Sequence, residues 1–142
     1  MKAKQILTDS LKMLGYVDSN GNGRMDARIT NSAVVFINKV YSDLWYIVNS
    51  KRRKQRCWFR EIGHTEEQTD ERFVPCESLD SEIDLPEEIL YDVMPYGVAY
   101  YIAGAENDGD NEQKFSVLYK QKRGKLTFKK SYIDVMPRSY DL

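Results

Sequence analysis

Reactive side chains are scarce in this chain. Its 142 residues include one histidine, His64, and two cysteines, Cys57 and Cys76. The histidine stands in the polar stretch Gly63-His64-Thr65-Glu66 and reads as a surface residue. A lone imidazole without a Cys or carboxylate partner set weakens His-based hydrolase and zinc chemistry. Two cysteines are too few for a disulfide framework, and in a reducing compartment both are expected as free thiols. No apolar run reaches the roughly 18 residues that a membrane span needs. Met1-Lys2-Ala3-Lys4 is not followed by a signal-peptide core. These features place the chain in a cytoplasm or in an assembly built there. Charge of one sign is not in excess either: the net charge is −1, so the surface as a whole is no nucleic-acid footprint. There is no nucleophile–base pair and no phosphate-binding loop, so an enzyme is not expected. What is present is 42% hydrophobic and 30% charged residues, enough for one soluble domain with a core.

Apolar spacing of three and four residues dominates, and it predicts a mainly α fold: an antiparallel helical bundle of about four helices. Residues 2–15 form an amphipathic helix on Ile6, Leu7, Leu11 and Leu14, stopped by Gly15. Residues 27–50 carry the longest stripe, namely Ile29, Ala33, Phe36, Ile37, Val40, Leu44, Ile47 and Val48, widened by Tyr41 and Trp45. A helix of about 24 residues would run roughly 36 Å and serve as a central element.

The stretch from Leu85 to Lys129 reads as a helical hairpin. Asp84 is a candidate N-cap with Glu87 as its capping-box partner, and Pro86 suits the first turn. Ile89, Leu90, Val93, Tyr96, Tyr100 and Tyr101 share a face. Pro95 predicts a kink, or a helix that starts afresh beyond Tyr91 to Pro95. Gly97, Ala99, Ala103, Gly104 and Ala105 make a small-residue strip, fit either for close packing of the helix's own neighbours or for subunit packing. Asn107-Asp108-Gly109 supplies a turn, and Asp110 with Gln113 a cap for the next helix. That helix shows Phe115, Leu118, Tyr119 and Lys122 on one side and ends on a basic run, Lys120 to Lys130.

Two local motifs carry sharper chemistry. In the loop 18–26, Asp18, Asn20 and Asn22 take positions 1, 3 and 5 of an EF-hand-type calcium loop, Gly23 the turn position and Asp26 position 9. Position 12, which should hold a bidentate Glu, is Ile29. Calcium is therefore a possible ligand of an incomplete set, and the same residues are also ordinary loop formers. The run Lys51, Arg52, Arg53, Lys54, Gln55, Arg56, followed by Trp58 and Phe59, combines cations with aromatics as phosphate-backbone binders do. It also fits a solvated helix end.

The pattern changes over 57–80. Residues 57–62 and 72–75 read as short strands around a polar loop, 65–71, and so as a β-hairpin-like insertion protruding from the bundle. The domain is expected over 1–130. Residues 131–142 then form an extended C-terminal tail whose Tyr132, Ile133, Val135, Met136 and Tyr140 are apolar enough to dock on a partner.

The order of elements, with Leu85-Pro86-Glu87-Glu88 opening a helix that continues through Tyr96-Gly97-Val98-Ala99, resembles the head-to-tail connector (adaptor) proteins of tailed bacteriophages and prophages. The residues that carry the likeness are Leu85, Pro86, Tyr96, Gly97, Ala99, Gly109, Asp110, Phe115 and Tyr119. It covers most of the chain in layout and is specific in residues over 85–119; Pro95 departs from the pattern. The resemblance implies a non-enzymatic virion protein whose copies form a ring, dodecameric in type, at the head–tail junction. It implies a portal protein on one side, a tail or stopper protein on the other, and DNA passing non-specifically through the channel. The C-terminal tail would reach the portal, and the strip of Gly97, Ala99, Ala103 and Gly104 would serve subunit packing. No cofactor is implied. The competing reading is a small DNA-binding or packaging-related protein that uses Lys51 to Arg56.

Overall fold

The computed structural model describes residues 1–61 and 72–139, with side chains over 1–49 and 72–126. Within them the chain is mainly helical: α1 (Ala3–Leu14), α2 (Ala27–Glu61), α3 (Glu87–Asp92), α4 (Met94–Ala105) and α5 (Gly109–Ser139). Among the described residues there is no β-strand, only isolated bridges between Lys2 and Glu82 and between Val17 and Gly23. Nor is any helix there long and apolar enough to cross a membrane.

The centre of the fold is α4, Met-Pro-Tyr-Gly-Val-Ala-Tyr-Tyr-Ile-Ala-Gly-Ala, which contains no charged residue. A helix apolar on every side must be surrounded, and α4 packs against α1, α2, α3 and α5. Met94, Val98, Ala99, Ile102 and Ala103 are fully buried, while Tyr96, Tyr100 and Tyr101 are half-buried at its margins. Ile6, Leu7 and Leu11 of α1 and Ala33, Ile37, Val40 and Leu44 of α2 close the core. Phe115 and Tyr119 of α5 complete it.

The break expected around Pro95 is where the helix restarts. α3 stops at Asp92, Val93 joins the two helices with a stretched φ (φ −112°, ψ −51°), and α4 begins at Met94 with proline in its first turn. There the missing proline N–H leaves no hydrogen bond unmade. Ser10 of α1 supports the junction: its buried hydroxyl lies 2.8 Å from the Ile6 carbonyl and 3.0 Å from the Pro95 carbonyl. α1 ends as its sequence demands, on Gly15 at φ 80° with its N–H on the Lys12 carbonyl.

Four expectations need correction. α2 does not stop near residue 50 but runs 35 residues to Glu61, roughly 52 Å. The basic run 51–56 and the supposed first strand are thus helical in backbone; Lys, Arg and Gln are good helix formers, and three consecutive Cys57-Trp58-Phe59 residues do not override them. The supposed second strand, 72–75, is irregular and unpaired, so the β-hairpin-like insertion is not formed by its described flanks; 62–71, with His64, lies outside the described residues. The caps are also displaced. α3 begins at Glu87 behind Pro86 with no side-chain cap, so Asp84 is not its N-cap. For α5 the acceptor is Asp108 rather than Asp110, because the carboxylate that precedes the first turn is the one facing its free N–H groups. Finally, the backbone of 131–139 is not an extended tail but continues α5 to Ser139.

The segment between α2 and α3 is held to the start of α1 by the Ala3–Ser81, Lys4–Leu79 and Ile83–Met1 backbone hydrogen bonds, and to α2 by side-chain contacts. Asn38 of α2 acts as a backbone mimic: its Oδ1 accepts the Cys76 N–H at 2.7 Å and its Nδ2 donates to the Cys76 carbonyl at 3.0 Å. The Asp84 N–H donates to the Tyr41 hydroxyl at 3.1 Å. Phe73 is seated edge-on against Tyr41 and also meets Trp45.

Candidate functional site

Three residues of the small-residue strip of α4, Gly97, Ala99 and Ala103, are buried within the chain. Ala99 and Ala103 are fully buried. A Cβ on Gly97 would stand 2.9 Å from Tyr119 and 2.9 Å from both Val40 methyls, so Gly97 is where α4 touches α2 and α5 at once. Gly104 faces the Glu112 carboxylate of α5. Close packing of α4's own neighbours is therefore the role that Gly97, Ala99 and Ala103 play here, while Gly104 is half-buried and Ala105 exposed.

The loop 18–26 is closed by its own hydrogen bonds. Asp18 Oδ1 accepts the N–H groups of Asn20 (2.9 Å) and Asn22 (3.0 Å), and the Asp18 N–H donates to the Asn22 carbonyl at 2.8 Å. Positive φ falls on Gly21 (78°), whereas Gly23 pairs with Val17 and lies on Leu11. Asp26 pairs with Arg24 at 3.0 Å. The EF-hand alignment thus puts its turn glycine where the backbone is bridged, and Asp18 and Asp26 already have partners. Among the described residues no group of three or more His, Cys, Asp or Glu side chains is placed to hold a metal ion.

Lys51, Arg52, Arg53, Lys54 and Arg56 lie on the far third of α2, with side chains outside the described set. Tyr132, Ile133, Val135 and Met136 lie on the last turns of α5, again by backbone alone, and Tyr140 is outside the described residues. Both candidate partner-binding segments are carried on helices that extend from the α4 core. Cys76 is a buried free thiol whose pKa burial raises; the side chain of Cys57 is outside the described set.

Two polar clusters emerge that periodicity did not expose. In a cleft of about 690 Å³ between α2 and α5, Asp43 Oδ2 accepts the Tyr119 hydroxyl and an Arg123 Nη1–H, each at 2.7 Å. Burial, reinforced by the Asp43 carboxylate, pushes the Tyr119 pKa far up, and the hydrogen bond to Asp43 raises that of Arg123. Tyr101 stacks on Phe36 at one wall, with the Lys39 ammonium 5.4 Å from its ring. At the other end of α5, the Tyr16 hydroxyl donates to Asp108 Oδ2 at 2.7 Å and fastens the loop after α1 to the α4–α5 turn. Partial burial and the neighbouring Asp108 push the Tyr16 pKa up to about 12; the Tyr16 and Asn111 hydrogen bonds lower that of Asp108. Arg28–Glu106 (2.6 Å) and Lys122–Asp92 (2.6 Å) tie further helix pairs. These pairs fasten helices, or the turns beside them, to one another.

Comparison with family models, with curated proteins and with solved structures gives no match.

Proposed function

We propose that the chain is a structural subunit of a head-to-tail connector: a non-enzymatic adaptor whose copies form a ring, dodecameric in type, between the portal and the tail of a phage or prophage particle. The observation that carries this reading is that the residues behind the resemblance share one structural unit. Tyr96, Gly97 and Ala99 lie on α4, and Gly109, Asp110, Phe115 and Tyr119 lie on the α5 that packs against it, with Gly97 at the point of closest approach. Long α2 and α5 run on from that unit and carry the basic run and the apolar residues 132–136. In the proposed ring these extensions meet the DNA channel and the portal, and the 57–80 region contacts an adjacent subunit or a tail component. The reading requires no cofactor and places the protein in the virion, with assembly in the host cytoplasm.

The test is the mass of the purified chain in solution, alone and with a candidate portal protein. A ring, or a stoichiometric complex with the portal, supports the connector. A persistent monomer that ignores the portal but binds DNA with steep salt dependence moves the assignment to Lys51–Arg56.

A further inference from the structure

Helices α2 and α5 point the same way. α2 runs antiparallel to α4: Arg28 meets Glu106, Phe36 stacks on Tyr101, and Val40 lies at Gly97. α5 is antiparallel to α4 as well, because Glu112 lies at Gly104, Phe115 at Tyr96 and Lys122 over the Tyr96 ring. Both oppose the same helix, so they share one direction, and they touch where Asp43 accepts hydrogen bonds from Tyr119 and Arg123. Beyond that contact α2 continues to Glu61 and α5 to Ser139, roughly 27 Å and 24 Å toward the same end of the bundle.

Positive charge is concentrated on these two extensions. Residues 51–61 carry six Lys or Arg and one carboxylate, Glu61. Residues 119–133 carry six Lys or Arg and no carboxylate. Together they hold more than half of the 21 cations in the chain, whereas 73–113 has eleven carboxylates and no Lys, Arg or His. The net charge of −1 therefore conceals a basic end. Arg53, Arg56 and Arg60 recur at three and four residues along α2, and Lys122, Lys125 and Lys129 along α5, so each helix carries a row of cations on one face. Lys122 is held by Asp92, and Glu88 borders the same small cleft as Lys125. Lys120 and Lys125 are exposed and in no ion pair among the described residues. By backbone position Lys51 to Arg56 stand roughly 12–20 Å past Asp43, and Lys125 to Lys130 roughly 3–10 Å past Arg123.

We propose that the cation rows of α2 and α5 form one two-helix surface for the phosphate backbone of duplex DNA. The surface is wider than Lys51–Arg56, because α5 supplies a second row. Charge of one sign, unbroken by a carboxylate over 119–133, fits a polymer of uniform negative charge better than the mixed surface of a protein. Two rows on separate helices fit a stiff duplex better than a flexible single strand. Phosphate contacts carry no sequence information, so binding is independent of sequence and strongly salt-dependent. The proposal deepens the connector reading and rests on it for the choice of DNA as the polyanion.

The experiment is fluorescence anisotropy of the full chain with a labelled duplex of about 20 base pairs and mixed sequence, from about 50 to 200 mM salt. Three double variants are compared with the wild type: Arg53→Gln/Arg56→Gln, Lys125→Gln/Lys129→Gln, and the control Lys12→Gln/Lys114→Gln. The control removes the same charge from exposed positions at the opposite end, where Tyr16 ties the loop after α1 to the turn before α5. Gln is nearly as good a helix former as Lys or Arg, and circular dichroism checks each fold. The wild type should bind, with log K falling steeply against log salt. Each of the first two variants should bind at least about tenfold more weakly at ~100 mM salt and flatten the slope by about 1–2, since each phosphate contact contributes about 0.9. The control should change affinity by less than about twofold, because salt screens charges beyond about 10 Å. If either of the first two variants binds as tightly as the control, the two-helix surface is overturned. A single strand of the same length that the wild type binds more tightly than the duplex would overturn it too, as would a wild type that binds neither. No portal protein or ring enters these titrations, so the connector reading stands or falls separately, on the mass measurement.

Discussion

Gly97 offers the sharpest test of how this bundle is packed. A Cβ there meets three side-chain atoms at 2.9 Å, closer than carbon atoms rest. Neither neighbour can yield cheaply. Val40 is buried and β-branched, with one preferred helix rotamer, and both of its methyls face the site. Tyr119 is pinned by its hydroxyl to Asp43. Overpacking of this kind costs about 1–3 kcal/mol, and Ala in place of a helical Gly returns about 1 kcal/mol. With both walls fixed, Gly97→Ala should fall in the upper half of that range and lose about 1–2 kcal/mol net. In a chain of this size that lowers Tm by roughly 3–8 °C. Gly124→Ala is the control: on the exposed part of α5, with nothing within 4 Å of its added Cβ, it should gain up to about 1 kcal/mol. Val40→Ala removes both opposing methyls and leaves the Tyr119 contact, so in that background the cost of Gly97→Ala should shrink. Urea unfolding followed by far-UV circular dichroism reads all of these. A Gly97→Ala chain as stable as the wild type, or no coupling to Val40, would refute the close approach of α4 to α2.

Asn38→Ala removes two hydrogen bonds to Cys76 at once and should cost about 2 kcal/mol, read in the same urea titration, with faster reaction of the Cys76 thiol toward a thiol probe. Asp18→Ala leaves the Asn20 and Asn22 N–H groups without their acceptor, which in an exposed loop should cost about 1 kcal/mol; hydrogen exchange should speed up over 18–24 and not in α4. The Tyr16–Asp108 bond gives a pH signature. Asp108 has its pKa lowered on folding, so its stabilisation is present above the ordinary aspartate range of about pH 4 and is lost as pH falls through the lower folded value. Tyr16 has its pKa raised, so its share is whole below about pH 10 and disappears as pH rises through about 12. The stability gap between wild type and Tyr16→Phe should accordingly be widest near neutrality and narrow at both extremes; a gap independent of pH would sink this account. Asn49→Leu should be neutral or stabilising, because Asn49 Oδ1 is buried without a hydrogen-bond partner among the described residues.

Much of the helical core was legible because its signal is local. The stripes of α1 and α2 named Ile6, Leu7, Leu11, Ile37, Val40 and Leu44, and all are buried. Gly15 and the break at Pro95 were readable because each follows from one residue's backbone chemistry. The end of α2 was misplaced because a basic run looks like a C-terminus to the helix dipole, while the same residues are also good mid-helix formers. The strip on α4 was visible, but periodicity cannot distinguish a neighbour in the same chain from one in another; the distances at Gly97 do. Asp43, Tyr119 and Arg123 left no signature because the pairing spans 76 and 80 residues.

The place of α4 in the chain also sets an order of events during synthesis. The helix that covers the stripes of α1 and α2 is translated after both of them. At about 5–20 residues per second, the ribosome needs roughly 5–18 s to travel from the end of α1 to the end of α4. Over that interval two apolar surfaces exist without the element that buries them. Helices α4 and α5, by contrast, are joined by a short turn and can meet almost as soon as they emerge. A stall or truncation before residue 105 therefore leaves α1 and α2 with their apolar faces uncovered rather than a smaller version of the fold.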